Sequence, residues 1–434
     1  MSFRRTTPPR TGPAVTFTFD GRQYPGYEGE PLSQALLANG VLVQGRSFKY
    51  HRPRGPFAPG SGEPNALVTL IRGACREPNI RASEVEVFDG LQAESQNRFP
   101  SLAFDVNAVN GLVGKLFSAG FYYKTFMGPA IGPLRSTKFW MFAEHFIRRA
   151  AGLGKAGLAP DPDRYERMNA FCDVLVIGAG EAGLAASAAA AKAGLKVILA
   201  DSNRPSSRMP EGVQALTRTT IWGAYDGNTW AGTERVADHK STRDAGEPRQ
   251  RYWIIRAGTA IIATGATERP IVFPGNDVPG VMLASLAGSL AQSGVIPQGP
   301  VALFTNNDAA YQTAADLAGA GARIAAIIDV RRDISASARA LADLCNTDLH
   351  LGRAVVRTEG RKALSAIHVR NLDAQTGTLS GEAIAIPVSV LAVSGGWSPS
   401  IQLASHAGGK PGWSQDLQAF LPPKPNPGYS FHAA

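Results

Sequence analysis

The sequence of 434 residues contains few cysteines and few charged side chains, and these shortages argue against several classes of protein. Its cysteines, Cys75, Cys172 and Cys345, lie far apart without a C-x-x-C pair, which argues against a disulfide framework or a cysteine-ligated cluster. No run of 18 apolar residues occurs, so the sequence predicts no membrane-spanning helix. Residues 1–13 also lack the apolar core of a secretory signal. We therefore expect a soluble cytoplasmic protein without a membrane partner.

The charge of the chain is moderately positive rather than concentrated in basic runs. The formal net charge is +9, with 18% charged residues. No Lys/Arg run is long enough, and no alternation of basic and aromatic residues regular enough, to predict a nucleic-acid partner. A hydrophobic content of 44% together with 47 glycines is typical of a Gly-rich α/β protein, and the length allows two or three domains.

One stretch contains the features of a dinucleotide site in the right order. The aliphatic residues 174–177 predict a buried strand, and an Ala-rich helix and a second strand, residues 196–200, follow. Between the first strand and the helix stand the glycines of a G-x-G-x-x-G motif, Gly178, Gly180 and Gly183. Glycines at this spacing allow a tight turn, the approach of a pyrophosphate and close packing of helix on strand. The alternative is a glycine-bearing turn that binds nothing.

Two further features agree with the dinucleotide interpretation. Asp201 ends the second strand, about 20 residues after the glycines, where an acidic residue accepts hydrogen bonds from ribose hydroxyls. The pyrophosphate would lie on the N-terminus of the helix, where the helix dipole favours negative charge. A later strand ends in Ala263, Thr264 and Gly265, and we expect it to return the chain to the same site.

The segments around this stretch predict a chain of several parts. Alternating strands, a hairpin signal and one helix indicate a small ferredoxin-like β-grasp domain over residues 14–100. Residues 101–168 form an aromatic-rich, partly helical connecting segment, which includes residues 120–126. Residues 169–434 are predicted to be an FAD/NAD(P)-binding domain of Rossmann type, with a second βαβ unit near residues 280–330.

Two features allow more than one interpretation. The basic and aromatic residues 46–55 indicate either a surface for an anion or partner subunit or a solvated loop, and the lone His51 is assigned no role. In the second βαβ unit, Asn306 and Asn307 stand where glycines belong, so we expect a structural unit, with a cryptic nucleotide site as the alternative.

With these residues in hand, the chain resembles the α subunits of heterotetrameric sarcosine oxidase and related amine dehydrogenases. The matching stretches are residues 47–55, 63–65, 120–126, 178–183, 264–270, 273–285, 304–311 and 392–399. The resemblance implies oxidative demethylation of sarcosine, or a related secondary amine, to glycine, formaldehyde and hydrogen peroxide. It implies a hetero-oligomer in which a β subunit carries FAD and FMN, and small γ and δ subunits complete the complex.

The resemblance also implies which residues of this chain bind a cofactor. NAD is expected at the glycine motif, with FAD as the alternative, since some relatives carry FAD there. The expected binding residues are Gly178, Ala179, Gly180, Glu181, Ala182, Gly183, Asp201, Ser202, Asn203, Ala263, Thr264 and Gly265. No catalytic residue and no metal ligand is expected on this chain, because no nucleophile, acid–base pair or metal-ligand cluster stands out.

Three departures from the family pattern qualify these expectations. Relatives with a [2Fe–2S] cluster supply several cysteines near residues 57–74, whereas this chain has Ala58 and no cysteine before Cys75, so we expect no iron–sulfur cluster. The stretch between Asp201 and Thr217 is shorter than in the family. The folate-binding C-terminal domain of the α subunits is not found in this sequence, so we expect the folate step to be absent from this polypeptide.

Two alternatives to the subunit hypothesis stay open. A self-sufficient FAD/NAD(P)H reductase would need both βαβ units to bind nucleotides. A non-catalytic scaffold would no longer bind a cofactor, because the loop after Asp201 is shortened.

Overall fold

The computed structural model describes residues 3–9, 12–112, 132, 137–151, 157–204, 208–373 and 375–434. The predicted aromatic stretch at residues 120–126 lies outside the described residues. Contacts between residues divide the chain into two compact units, of which the first comprises Met1–Pro160 with Pro270–Gly396 and the second Asp161–Arg269 with Trp397–Ala434. The two units are described separately below.

The elements of both units are numbered along the chain. The strands are β1 (Phe3–Arg5), β2 (Ala14–Phe19), β3 (Arg22–Tyr27), β4 (Gly45–Arg46), β5 (Pro53–Arg54), β6 (Leu67–Arg72), β7 (Cys75–Arg81), β8 (Gln92–Ser95), β9 (Tyr165–Ile177), β10 (Val197–Ala200), β11 (Val213–Leu216), β12 (Thr219–Tyr225), β13 (Thr229–Arg235), β14 (Gln250–Ile262), β15 (Ala266–Glu268), β16 (Val281–Leu283), β17 (Val295–Pro297), β18 (Val301–Thr305), β19 (Ile324–Asp329), β20 (Asp348–Leu351), β21 (Arg353–Gly360), β22 (Leu364–Asp373), β23 (Thr378–Pro387), β24 (Val390–Ser394), β25 (Trp397–Pro399), β26 (Gly412–Ser414), β27 (Ala419–Leu421) and β28 (Phe431–Ala433). The α-helices are α1 (Leu32–Ala38), α2 (Thr137–Ala151), α3 (Glu181–Lys192), α4 (Ala284–Gln292), α5 (Ala309–Gly319), α6 (Ala336–Leu344) and α7 (Gln402–Ala407). Two 3₁₀ turns cover Gly60–Gly62 and Val106–Gly111.

The first unit contains a β-grasp sheet in the order β3-β2-β8-β6-β7. Strands β2 and β8 run parallel, and the other neighbours are antiparallel. Helix α1 packs on this sheet through Leu32 and Leu36, which are fully buried together with Phe17 of β2. Apolar side chains on one face of a helix and on one face of a sheet give such a domain its core.

The same unit contains a second sheet, which is entirely parallel and has the order β16-β24-β18-β19-β20. Helices α4, α5 and α6 share one core with it, and Leu37 and Leu42 of the β-grasp part belong to that core. The second sheet is also covered by the three-stranded meander β21-β22-β23, through side chains that include Ile367 and Val369. The β-grasp part and the second βαβ unit are therefore joined by continuous apolar packing.

The second unit is built on a seven-stranded sheet in which β11-β10-β9-β14-β13-β12 are neighbours and β28 pairs with β14. Strands β10, β11, β9, β14 and β28 run parallel where they pair, and β12 and β13 add an antiparallel meander. Val174, Leu175, Val176 and Ile177 at the end of β9 are buried, as the aliphatic run predicts.

The predicted fold class is confirmed: a ferredoxin-like β-grasp domain precedes a Rossmann-type domain in a mixed α/β chain. The second βαβ unit is formed by β18, α5 and β19. The boundaries at residues 100 and 168 stay predictions. Among the described residues, no helix has both the length and the hydrophobicity needed to span a bilayer.

Candidate functional site

The glycine turn between β9 and α3 is held by contacts that only glycine permits at two of its positions. Gly178 has φ +106, and a Cβ built there would lie 2.2 Å from the carbonyl oxygen of Ala263. A Cβ on Gly183 would lie 1.8 Å from the carbonyl oxygen of Gly178. Strand β9, helix α3 and the end of β14 therefore approach one another at backbone distance.

Gly180 differs from its two neighbours in the motif, because a Cβ there would meet no protein atom within 4 Å. Gly180 is the N-cap of α3, and no side chain caps the helix at this end. Helix α3 therefore begins beside open space. Its first backbone N–H groups, which include those of Glu181 and Ala182, have no side-chain cap. This arrangement fits a bound pyrophosphate, for which uncapped N–H groups and the helix dipole are the expected partners.

Asp201 lies directly after β10 and is bonded to the glycine turn. Its Oδ2 accepts a hydrogen bond from the N–H of Ala179 at 2.6 Å, and its Oδ1 accepts one from the N–H of Asn203 at 2.7 Å. A carboxylate has about four acceptor positions, so both oxygens retain acceptor capacity for ribose hydroxyls. The carbonyl oxygen of Ser202 accepts a hydrogen bond from Arg235 at 2.6 Å, which fixes the chain beyond the acid.

The third predicted segment, Ala263 to Gly265, meets the glycine turn through the backbone. The N–H of Ala263 donates to the carbonyl of Ile177 at 2.8 Å. The Thr264 hydroxyl donates to the carbonyl of Ser400 at 2.9 Å, and the N–H of Ser400 donates to the carbonyl of Gly265. All predicted binding residues thus lie in three adjacent segments of the second unit. Their role in cofactor binding stays a prediction.

Arg208 lies at the start of α3, although the sequence did not indicate it as a residue of this site. Its guanidinium makes a bidentate ion pair with Glu181, with Nη1–Oε1 and Nη2–Oε2 distances of 2.6 and 2.8 Å. The hydrogen bond from Arg208, followed by its charge, lowers the pKa of the Glu181 carboxyl. Glu181 therefore carries its negative charge at neutral pH in the first turn of α3, next to a compensating cation.

The loop of the second βαβ unit is filled by side-chain amides. Asn307 donates from Nδ2 to the carbonyl and hydroxyl oxygens of Ser394, and its Oδ1 accepts a hydrogen bond from the N–H of Ala309. At the end of β19, the fully buried Asp329 accepts hydrogen bonds from Tyr311 at 2.9 Å and from Arg331. This acid is enclosed within the protein, whereas Asp201 is only partly buried. These side-chain contacts fill the loop where a pyrophosphate would lie, and the geometry supports a structural unit here.

Two family models match the chain, one over the β-grasp domain and one over the segment with the glycine turn. Residues 12–98 match a 2Fe-2S iron-sulfur cluster binding domain, and residues 173–267 match an FAD binding domain. The second match contains the glycine turn, Asp201 and the Ala263–Gly265 segment.

Curated relatives extend the similarity to most of the chain. The sarcosine oxidase subunit alpha of Rhizobium meliloti (strain 1021) is 47% identical over 94% of this chain and 42% of that relative. Over these residues the chain is similar to this sarcosine oxidase subunit. The corresponding subunit of Corynebacterium sp. (strain U-96) is 34% identical over 94% of this chain and 40% of its own length. The chain thus spans less than half the length of these curated relatives.

A solved structure with a similar fold is that of L-proline dehydrogenase from P.horikoshii. It has a TM-score of 0.59 and 18% sequence identity, covering 99% of this chain and 70% of that one. At this identity the likeness concerns the fold alone.

The predicted cofactors need correction. NAD was the first expectation at the glycine motif, but residues 173–267 match an FAD binding domain, so that expectation is wrong and the FAD alternative is supported. The FAD and FMN expected on a partner subunit would belong to a different chain.

The prediction of no iron–sulfur cluster is also contradicted, since residues 12–98 match a cluster-binding domain. The prediction rested on the cysteine count, which does not determine the class of a domain. Of the three cysteines, only Cys75 falls within the matched residues, and a [2Fe–2S] cluster takes four ligands, usually thiolates. Among the described residues, no group of three or more His, Cys, Asp or Glu side chains is arranged to hold a metal. The described side chains therefore do not provide a complete ligand set for a cluster.

The glycine turn gives a first prediction, which separates folding from binding. Gly183→Ala places a Cβ 1.8 Å from a carbonyl oxygen and should lower the thermal midpoint markedly. Gly180→Ala adds a methyl group where no protein atom lies within 4 Å, so the chain should fold normally. It should bind FAD at least about tenfold more weakly, a change of about 1.4 kcal/mol, because the methyl group takes space needed by the cofactor.

Thermal melting and titration of the cofactor-free protein with FAD measure both effects. Gly319→Ala is the matched control, since its Cβ also meets no atom within 4 Å and Gly319 ends helix α5 in the first unit. Unchanged FAD affinity of Gly180→Ala would contradict the assignment of this space to the cofactor.

A second prediction concerns the cysteines. Burial raises the pKa of the Cys172 thiol to about 11, and burial also raises the pKa of Cys345. At about pH 8, roughly one Cys172 in a thousand would be a thiolate, so alkylation should be slow there. Cys75 is partly exposed and should be labelled first. Peptide mapping after brief treatment with iodoacetamide tests this order, and Cys75→Ser should remove the fast labelling. Equally fast modification of Cys172 would show that its thiol is accessible to solvent.

Proposed function

We propose that the chain is the FAD-binding component of a sarcosine oxidase-like complex. In this proposal it works with a flavin-bearing partner subunit in the oxidation of sarcosine or a related secondary amine. The observation that carries the proposal is the 47% identity to a sarcosine oxidase subunit alpha over 94% of the chain. The match to an FAD binding domain at the glycine turn supports the choice of cofactor.

In this role the residues of the second unit bind and orient the cofactor. The N–H groups at the start of α3 and the open space at Gly180 hold the pyrophosphate. The remaining acceptor positions of Asp201 take the ribose hydroxyls, while its bond to Ala179 keeps the turn in place. When bound, FAD would supply the redox chemistry, and these residues would hold and orient it.

The chain is proposed to contribute binding and electron transfer rather than the site of amine oxidation. The support comes from the described residues of the second unit, where the groups beside the glycine turn are backbone N–H groups, Asp201 and the Glu181–Arg208 pair. None of them is placed as a nucleophile or as an acid–base pair for an amine. Oxidation of the amine is therefore assigned to the partner subunit.

The first test uses the purified full chain. Its visible spectrum should show a flavin, and extraction followed by chromatography should identify FAD rather than NAD or FMN. The isolated chain should give no sarcosine-dependent hydrogen peroxide, whereas co-expression with its partner subunits should. Robust turnover by the isolated chain would overturn the assignment of catalysis to the partner. Absence of bound flavin, with no thermal stabilisation by added FAD, would favour a non-catalytic scaffold.

The ion pair at the start of α3 gives a further prediction. In Arg208→Ala the Glu181 carboxylate loses its cation and faces the negatively charged pyrophosphate, so FAD should bind several-fold more weakly. The double variant Glu181→Gln/Arg208→Ala should regain much of the affinity, because the uncompensated charge is gone. Titration with FAD at low ionic strength measures the change.

Lys192→Ala is the control for this pair, since it removes one positive charge from the last turn of the same helix. It should leave FAD affinity unchanged. Equal FAD affinities of the wild type and Arg208→Ala would show that the Glu181–Arg208 pair does not interact electrostatically with the pyrophosphate.

A further inference from the structure

One face of the sheet in the second unit is exposed where β12 and β13 extend it beyond β14. On the other face these strands bury Trp230, Trp253 and Ile255, in a core that includes Leu403 of helix α7. Residues directly opposite each other in paired strands lie on the same face of a sheet. The register therefore assigns alternate residues of β9 and β14, and their partners on β13 and β12, to the exposed face.

The exposed face is rich in aromatic side chains. Phe171 of β9 is 61% exposed, Tyr225 of β12 is 48% exposed and Trp222 of β12 is 41% exposed. The Tyr252 ring of β14 has its centroid 5.8 Å from that of Trp222. A bulge in β12 at Trp222 brings this residue and Tyr225 to one face, with ring centroids 6.4 Å apart. Antiparallel sheets usually present polar side chains to water, so these exposed rings indicate a binding surface.

The charged residues of this face are two arginines. Arg167 lies opposite Tyr252 and Arg256 lies opposite Phe171 in the register of β9 and β14. Both arginines are exposed, and neither forms an ion pair within the part of the chain that the structure describes. Tyrosine, tryptophan, phenylalanine and arginine are enriched in protein interfaces, whereas lysine, aspartate and glutamate are depleted. These three depleted types are absent from the strand segments that form the face, residues 167–171, 220–225, 229–233 and 252–256.

The arginines determine which kind of surface can cover this face. Apolar side chains alone would remove both guanidinium groups from water without a counter-ion, which is costly. The same face of a second copy would bring four arginines together and no carboxylate. The face is therefore complementary in charge to a different chain, one that presents apolar side chains beside carboxylates.

We propose that this face docks the flavin-bearing partner subunit, with apolar side chains against Phe171 and Trp222 and carboxylates against Arg167 and Arg256. The inference rests on the proposed function, which supplies the partner, and it adds the surface and the chemistry of the contact. Strands β9 and β14 continue from this face to the glycine turn and to Ala263. The docked subunit thus lies on the unit that is proposed to bind FAD.

The test measures association of the purified full chain, loaded with FAD, with the purified partner subunit by isothermal titration calorimetry. Phe171→Ala and Arg256→Glu should each weaken association by about tenfold or more, as expected for residues central to an interface. Association should also weaken as the salt concentration rises, because salt screens charge pairs. This dependence should be less steep in the double variant Arg167→Gln/Arg256→Gln.

Matched controls separate the face from general effects of the substitutions. Met168→Ala removes a side chain that is 41% exposed on the opposite face of the same strand. Arg339→Glu makes the same change of charge at an exposed position of helix α6 in the first unit. Both controls should associate as the wild type does. All variants should retain the flavin spectrum and the melting temperature of the isolated wild-type chain.

Chemical modification tests the same face without any substitution, and so does not depend on the folding of a variant. Phenylglyoxal modifies accessible arginines, and peptide mapping locates the modified residues. Arg167 and Arg256 should react in the isolated chain and be protected in the complex. Arg339 should react equally in both.

The outcomes distinguish failure of this inference from failure of the proposed function. If the wild type forms the complex but the face variants associate normally, and Arg167 and Arg256 stay reactive in it, the docking face is overturned and the proposed function stands. If the wild-type chain forms no complex, both are overturned. Self-association of the isolated chain that Arg256→Glu abolishes would assign the face to a second copy and overturn the choice of partner.

Discussion

The approach of three backbone segments at Gly178 and Gly183 is the constraint on which the second unit depends. Carbonyl oxygens occupy the positions where side chains would begin, at 2.2 and 1.8 Å from ideal Cβ positions. This contact sets where α3 starts relative to the parallel strands β9 and β14. This contact also determines where the helix N-terminus, Asp201 and Thr264 lie. The predicted cofactor site is thus a consequence of close packing that larger residues would prevent.

The FAD-binding part could be predicted from sequence because its signals are local. Strand, glycine turn, helix and acid succeed one another within about 30 residues, a length typical of one βαβ unit. Asp201 and Ala179 are 22 positions apart, yet the strand order brings them to hydrogen-bond distance. The second βαβ unit was predicted from the same pattern, and Asn306 and Asn307 indicated its filled loop.

Other features could not be predicted because their partners are distant or their stretches lack a pattern. His51 has no other metal-ligand residue near it in the sequence. Its partner Asp105 lies 54 residues away. Arg208 lies in a polar stretch without periodicity, 27 residues from Glu181. The choice of FAD over NAD was not determined by the glycine spacing, which both cofactors share. The cysteine count likewise led to the expectation of no iron–sulfur cluster, which the match of residues 12–98 to a cluster-binding domain contradicts.

The two hydrogen bonds of Asp201 have a consequence for protein engineering. An acid at the end of the second strand is the usual residue to exchange when nucleotide preference is redesigned. Here the same carboxylate also accepts the N–H groups of Ala179 and Asn203. A neutral apolar replacement would remove the predicted ribose contact. It would also leave the N–H groups of Ala179 and Asn203 without their acceptor. Changes of preference in this scaffold are therefore better sought in residues that contact the ligand without supporting the turn.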